Sequence, residues 1–224
     1  MYNLDIINKT KGFIDQDEGA KLYEYALKAS SEIRFPGIEI GSYCGKSSLY
    51  LGAGCSKENN IMFSLDHHRG SEEQQPGEEY FDPDLADDTG TKLDTLPFFR
   101  RALYESGLED TVIPIVGNSH LVGRYWNSML SFVFIDGGHS METEFGDYLV
   151  WSPRIADNGY LLVHDIFDSP AEGGQAPRFV FEKALSSGHF ELVERIKTLV
   201  VLKKITTGRI TGRIKKDYMK FERC

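Results

Sequence analysis

Short apolar runs recur along this chain with helix-length segments between them, and that alternation limits the fold more than any other feature. GIEIG (37–41), IMFSLD (61–66), TVIPIVG (111–117), SFVFID (131–136) and GYLLVHD (159–165) read as buried strands. Residues 17–34 form an amphipathic pattern that ends before Pro36. GKSSLYLGAGCS (45–56), TLPFFRRALYESGL (95–108), SHLVGRYWN (119–127) and METEFGDYLVWSPRI (141–155) have helical periodicity between the strands. Apolar strands separated by helices predict a parallel sheet covered on both faces. After a further helix, APRFVFEKALSSG (176–188), the runs FELVERI (190–196) and LVVLKKI (199–205) have only Lys197 and Thr198 between them. So short a link forces an antiparallel hairpin at one edge. The expected fold is α/β, a doubly wound seven-stranded and mostly parallel sheet.

One segment breaks the order. Residues 67–94 are polar and turn-rich, with nine acids against Arg69 and Lys92. An insertion of that length after the second strand, at the sheet edge where open α/β folds bind ligands, is expected to act as a lid. At 224 residues and 41% hydrophobic, the chain can bury one core. One domain is therefore expected over 1–204, followed by a basic tail, 205–224. From Lys203 onward eight basic residues face two acids, a local +6 that leaves −15 for the rest of a chain whose net charge is −9. Such a body repels phosphate, so no nucleic-acid partner is expected. No apolar run reaches the roughly 18 residues of a membrane span, and the N-terminus has no signal-peptide pattern. With only three cysteines, Cys44, Cys55 and Cys224, the expected location is the cytoplasm.

The first strand leads into GSYCGKSS (41–48), a turn that three ligands compete for. A phosphate loop needs four residues between its glycines, and Gly41 and Gly45 bracket only Ser42, Tyr43 and Cys44. A dinucleotide turn needs glycine at its third and sixth positions, where Tyr43 and Lys46 stand instead. An NAD-binding oxidoreductase is thus the weaker alternative, although Asp66 is placed to hold a ribose in either system. S-adenosylmethionine has no pyrophosphate and asks only for a close-passing turn, an acid and two spaced glycines. The motif Glu39-Ile40-Gly41, with Gly45 beyond it, supplies these. Lys46 reads as a solvent-facing helical lysine, and Cys44 as a small buried neighbour of the turn. Trp126 and Trp151 read as core, and His120 and His189 receive no role.

Four motifs in order, EIGSYCGKSS, SLDHH, FIDGGHS and GYLLVHD, make the chain resemble a class I S-adenosylmethionine-dependent methyltransferase, most closely the family of macrolide-sugar O-methyltransferases and cephalosporin-hydroxylase-like proteins. The resemblance runs over 35–204 and implies a Rossmann-like fold. It implies that Glu39, Gly41 and Gly45 line the methionine portion of the donor, with Ser42 and Ser47 near by. Asp66 would take both ribose hydroxyls, His67 would flank the adenine, and Asn118 and Ser119 would contact the adenine ring. Asp136 would sit at the reacting centre with His139 as general base. A divalent ion, magnesium or manganese, would be held by Asp136, His164 and Asp165, although histidine is an unusual magnesium ligand. The implied reaction is O-methylation of a small molecule by a chain that can form a homo-oligomer. The alternative of another class is a binder of S-adenosylmethionine without chemistry; four ionisable groups at one sheet edge speak against it.

Overall fold

The apolar runs form one seven-stranded sheet. The computed structural model describes residues 2–78, 80–138 and 140–205, and in it the strands are β1 (Gly37–Ile40), β2 (Met62–Asp66), β3 (Val112–Val116), β4 (Leu130–Ile135), β5 (Ile155–Val163), β6 (Phe190–Ile196) and β7 (Leu199–Lys204). Their order across the sheet is β3-β2-β1-β4-β5-β7-β6. The first five pair in parallel, and β7 runs antiparallel between β5 and β6. The hairpin turns at Lys197, which takes a left-handed φ of 49°. Seven strands, mostly parallel with an antiparallel C-terminal pair, make the expected Rossmann-like architecture.

Helices α1 (Leu4–Lys9), α2 (Gln16–Glu32), α3 (Lys46–Lys57) and α4 (Leu96–Ser106) cover one face. Helices α5 (Ser119–Arg124), α6 (Met141–Trp151) and α7 (Ala176–Ser186) cover the other. Strand alternation divides the core between them. Phe132 and Phe134 of β4 pack toward α2 and α3, whereas Val133 and Ile135 pack toward α6. Burying side chains of this size contributes about 1.5–3 kcal/mol each. Among the described residues no helix is long and apolar enough to cross a membrane.

Three local differences from the sequence reading have identifiable causes. Helix α1 was not expected; the side chain of Asn3 caps it by accepting from Asp5 and Ile6 N–H, and its Ile7 is buried. Strand β5 begins at Ile155 rather than 159, because Asn158 absorbs a register shift against β4 at a left-handed φ of 66°. Helix α6 gives way after Trp151 to a 3-10 turn, Ser152–Arg154, that contains Pro153.

Residues 67–94 are more ordered than their composition suggests. They contain two 3-10 turns, Glu72–Gln74 and Pro83–Leu85, and an antiparallel bridge between Ala86 and Leu93. Leu85 and Leu93 are fully buried in a small cluster with Cys44, packed by Tyr43, Phe81 and Phe98. Of the basic tail, residues 206–224, with Cys224, lie outside the described residues.

Candidate active site

The turn from β1 into α3 lies against the end of β4. Gly41 has φ +85°, and a Cβ there would strike the Asp136 carbonyl and come within 2.7 Å of Gly137 Cα. Only glycine fits that approach. Asp66, at the end of β2, fastens the same turn: its Oδ2 accepts from Ser42 N–H at 2.9 Å and Tyr43 N–H at 2.8 Å, and its Oδ1 from His68 N–H at 2.7 Å. A carboxylate has about four acceptor positions, so roughly one remains for a ligand hydroxyl.

These strand ends open into a cavity of 790 Å³. Gly41, Ser42, Ser47 and Asp66 line it, as do His67, Asn118 and Ser119, and so do Asp136 and Asp165. The acidic segment contributes Glu72, Glu78 and Tyr80, and the loop after β5 contributes Phe167 and Glu172. The hydroxyl of Ser42, on a residue 3% exposed, has no hydrogen-bond partner. His139 lies outside the described residues.

Three expected site residues have other surroundings. Glu39 lies on the face of β1 that packs under α3, opposite to Ile38 and Ile40, and does not line the cavity. Its Oε2 accepts from Ser48 and, at 2.8 Å, from Ser64, while Oε1 has no partner. Complete burial pushes its carboxyl up to about 7 against the lowering effect of the neighbouring serine hydroxyls. Gly45 caps α3 at φ +96° and turns its missing Cβ toward Phe99, 3.0 Å away, rather than toward the cavity. Lys46, read as solvent-facing, lines the cavity, with Nζ 3.4 Å from the Gly12 carbonyl. It is the one lysine or arginine among the described lining residues.

The third is His164. Asp136, His164 and Asp165 do bring potential ligand atoms within 4.8 Å of one another. The His164 ring, however, is held from both sides. Nδ1 lies 3.0 Å from Asp136 Oδ1 and 3.4 Å from Asp165 Oδ1; Nε2 lies 3.1 Å from Glu18 Oε2. Burial disfavours a charged ring, yet the surrounding carboxylates outweigh it and raise the His164 pKa well above its ordinary value. Glu18 shows the reciprocal effect: burial would raise it, and the bonds from His164 and Thr198 bring it down to about 2. An imidazole that binds a metal through one nitrogen ordinarily donates its other N–H to a carboxylate, and Glu18 stands in that relation to Nε2. Asp136, His164 and Asp165, the expected set, thus stand together as possible ligands of a divalent ion.

Sequence reasoning also passed over Asp147. It lies on α6 at 1% exposure, lines the cavity, accepts from the Ser119 hydroxyl and sits 3.2 Å from His120 Nε2. That carboxylate raises the His120 pKa despite partial burial. The signal was an acid inside the apolar stretch FGDYLVW. Asn118 spends its side-chain oxygen on the Leu121 N–H, capping α5.

A family model described as a methyltransferase domain matches residues 38–166, more than half of the chain. The fold is similar to that of an O-methyltransferase from Bacillus cereus in complex with SAH, with 12% identity and a TM-score of 0.59 over 90% of this chain and 88% of that one. It is similar to the O-methyltransferase TomG from Streptomyces achromogenes, which is involved in tomaymycin synthesis and was solved with SAM (15% identity, TM-score 0.58, covering 87% and 82%). It is also similar to the O-methyltransferase NovP (15% identity, TM-score 0.63, covering 84% and 79%). At such identities the likeness is one of fold. The matched span runs from β1 through the end of β5 and so takes in the turn, Asp66, Asp136 and Asp165; the chain belongs to this methyltransferase-domain family.

Proposed function

We propose that the protein transfers a methyl group from S-adenosylmethionine to a hydroxyl of a small molecule. The observation that carries this reading is the meeting of Asp66, Asn118 and Asp136, from the ends of β2, β3 and β4, on one cavity of 790 Å³. That volume falls in the range of about 300–1,000 Å³ usual for small-molecule sites. The donor fits the residues present. The unpartnered Ser42 hydroxyl, the remaining acceptor position of Asp66 and the free amide nitrogen of Asn118 all suit a ligand with ribose, amino-acid and adenine parts. Bound, it would supply an electrophilic sulfonium methyl.

The chain's own part is alignment and proton handling, since an in-line displacement needs the acceptor oxygen held and deprotonated. Asp136 spends Oδ1 on His164 and keeps Oδ2 without a protein partner among the described residues, which suits it to accept from an acceptor hydroxyl. His139, three residues further on, is the general base proposed from its sequence position. Residues 67–94 act as the cover that keeps water from the reacting atoms. Their carboxylates favour a hydroxylated or cationic acceptor over a phosphorylated one.

Incubation of the pure protein with methyl-labelled S-adenosylmethionine and a panel of hydroxylated and aminated small molecules tests the reading. Label should pass to a hydroxyl-bearing acceptor. Tight binding of NAD with none of the methyl donor would defeat the proposal.

A further inference from the structure

Asp147 is a buried acid that closes no helix end. Ser140 caps α6 and Asn118 caps α5, whereas Asp147 stands inside α6 at 1% exposure. An aspartate there is disfavoured by helix propensity and by desolvation unless its oxygens are satisfied. One of them is. Oδ1 accepts from the Ser119 hydroxyl and lies 3.2 Å from His120 Nε2. That nitrogen also lies 3.3 Å from the Thr143 carbonyl, so it faces two acceptors and is the one that carries hydrogen. The ring has its room because Gly146 has no side chain; a Cβ there would strike it. Two donors at the start of α5 thus fix Asp147 and leave Oδ2 with no partner among the described residues. Oδ2 lies beside Gly137, where an added Cβ would stand 3.6 Å from it, and Gly137, Ser119 and Asp147 all line the cavity.

We infer that Asp147 is a specificity-determining residue: its Oδ2 accepts from the exocyclic amino group of the ligand's base, so that the cavity admits a 6-aminopurine and refuses a 6-oxopurine. The inference rests on the methyl-transfer reading only in making that ligand an adenosine derivative. Ser119 follows β3 and Gly137 follows β4, so Asp147 stands where α5 and α6 close one side of the cavity, next to Asn118. The Asn118 oxygen is spent on the Leu121 N–H, and its amide N–H groups remain for a ligand. A carboxylate acceptor beside an amide donor matches an amino group beside a ring nitrogen, the edge that adenine presents. A 6-oxo base would turn an acceptor toward the carboxylate and leave a buried oxygen unpaired. Ser119 and His120 act through Asp147 and are positioning residues.

Calorimetry on the full-length protein with adenosine, inosine, S-adenosylhomocysteine and S-inosylhomocysteine tests this without knowing the acceptor. The wild type should bind each amino form at least about tenfold more tightly than its oxo form. Asp147→Asn keeps the size and one oxygen for Ser119, and it offers an amide N–H to a 6-oxo group. It should weaken the amino ligands, tighten the oxo ligands and cut the ratio to about threefold or less. An aspartate with a purely structural place would shift both forms alike and leave the ratio unchanged. If Asp147→Asn does not fold, Gly137→Ala takes its part: Gly137 is not left-handed, its added Cβ meets nothing closer than 3.6 Å, and the methyl group set against Oδ2 should lower the ratio in the same direction. Equal affinity of the wild type for amino and oxo forms, or an unchanged ratio in the folded variant, would overturn the inference. Preference for adenosine over inosine without binding of S-adenosylhomocysteine would defeat methyl transfer and leave the role of Asp147 standing. Binding of none of the four would defeat both.

Discussion

Lys11 Nζ lies 2.6 Å from Asp82 Oδ2 and 3.0 Å from Asp84 Oδ2, which joins the residues before α2 to the acidic segment far along the chain. Two residues later the Phe13 ring sits 5.6 Å from that of Tyr43 and 5.9 Å from that of Tyr80. The N-terminal segment thereby joins the wall of the cavity, to which Gly12, Phe13 and Ile14 contribute. The ion pairs are partly exposed and contribute under about 1 kcal/mol each, so Phe13→Ala and Lys11→Ala should leave the melting temperature nearly unchanged. They should instead speed proteolytic cleavage and amide exchange within residues 71–84. Unchanged protection there would show that the N-terminal contacts do not hold the segment.

Asp66 serves both the turn and the cavity, and its substitution should show in both. Asp66→Ala removes a charged acceptor from three backbone N–H groups and, under the proposed function, from the methyl donor. Affinity for S-adenosylhomocysteine, measured by calorimetry, should fall roughly tenfold or more. Affinity equal to the wild type would remove Asp66 from the binding set.

Lys46 is the one lysine or arginine among the described residues that line the cavity, where the acidic side chains are Asp66, Glu72, Glu73, Glu78, Asp136, Asp147, Asp165 and Glu172. A donor with a free carboxylate has one cationic side chain to meet there. Lys46→Met keeps the apolar stem and should weaken S-adenosylhomocysteine binding by about threefold to tenfold, with a smaller loss at high salt. An affinity and salt dependence identical to the wild type would return Lys46 to a purely structural place beside Gly12.

Glu39 makes stability depend on pH. Its folded pKa of about 7 stands above the ordinary 4.5, so the folded state holds the proton more tightly than the unfolded chain. The stabilisation this gives is full below about 4.5 and is lost as pH rises through 7. The loss amounts to at most about 3 kcal/mol. Glu39→Gln should be nearly neutral at low pH and relatively more stable than the wild type near pH 8. Denaturant midpoints of both proteins across that range check this, and parallel curves would mean that Glu39 does not titrate there.

The sheet was legible in the sequence because each strand is an apolar run bounded by turn residues, and the two-residue link at Lys197 and Thr198 dictated the hairpin. Much of the cavity lining was legible for a related reason: residues at strand ends, such as Asp66, Asp136 and Asp165, are placed by the topology itself. Glu39 shows where that logic stops, because strand alternation carries it to the α3 face one residue before the chain turns. Glu18 and Asp147 could not be located by position, since each reaches the site from a helix, and a helix's rotation is set by packing rather than by chain order. Within 67–94 the ordered core rests on Leu85 and Leu93 with Phe81 packed against them, too few apolar residues to form a period.

Gly41 leaves no gap between the β1 turn and the β4 end, so at that point the cavity wall is backbone against backbone. Side-chain substitution cannot widen or recontour a wall of that kind. Under the proposed function, acceptor choice then falls to residues 67–94 and the loop after β5, whose side chains line the same cavity. Grafting those two surface segments onto a relative should carry acceptor choice with them while donor binding stays behind.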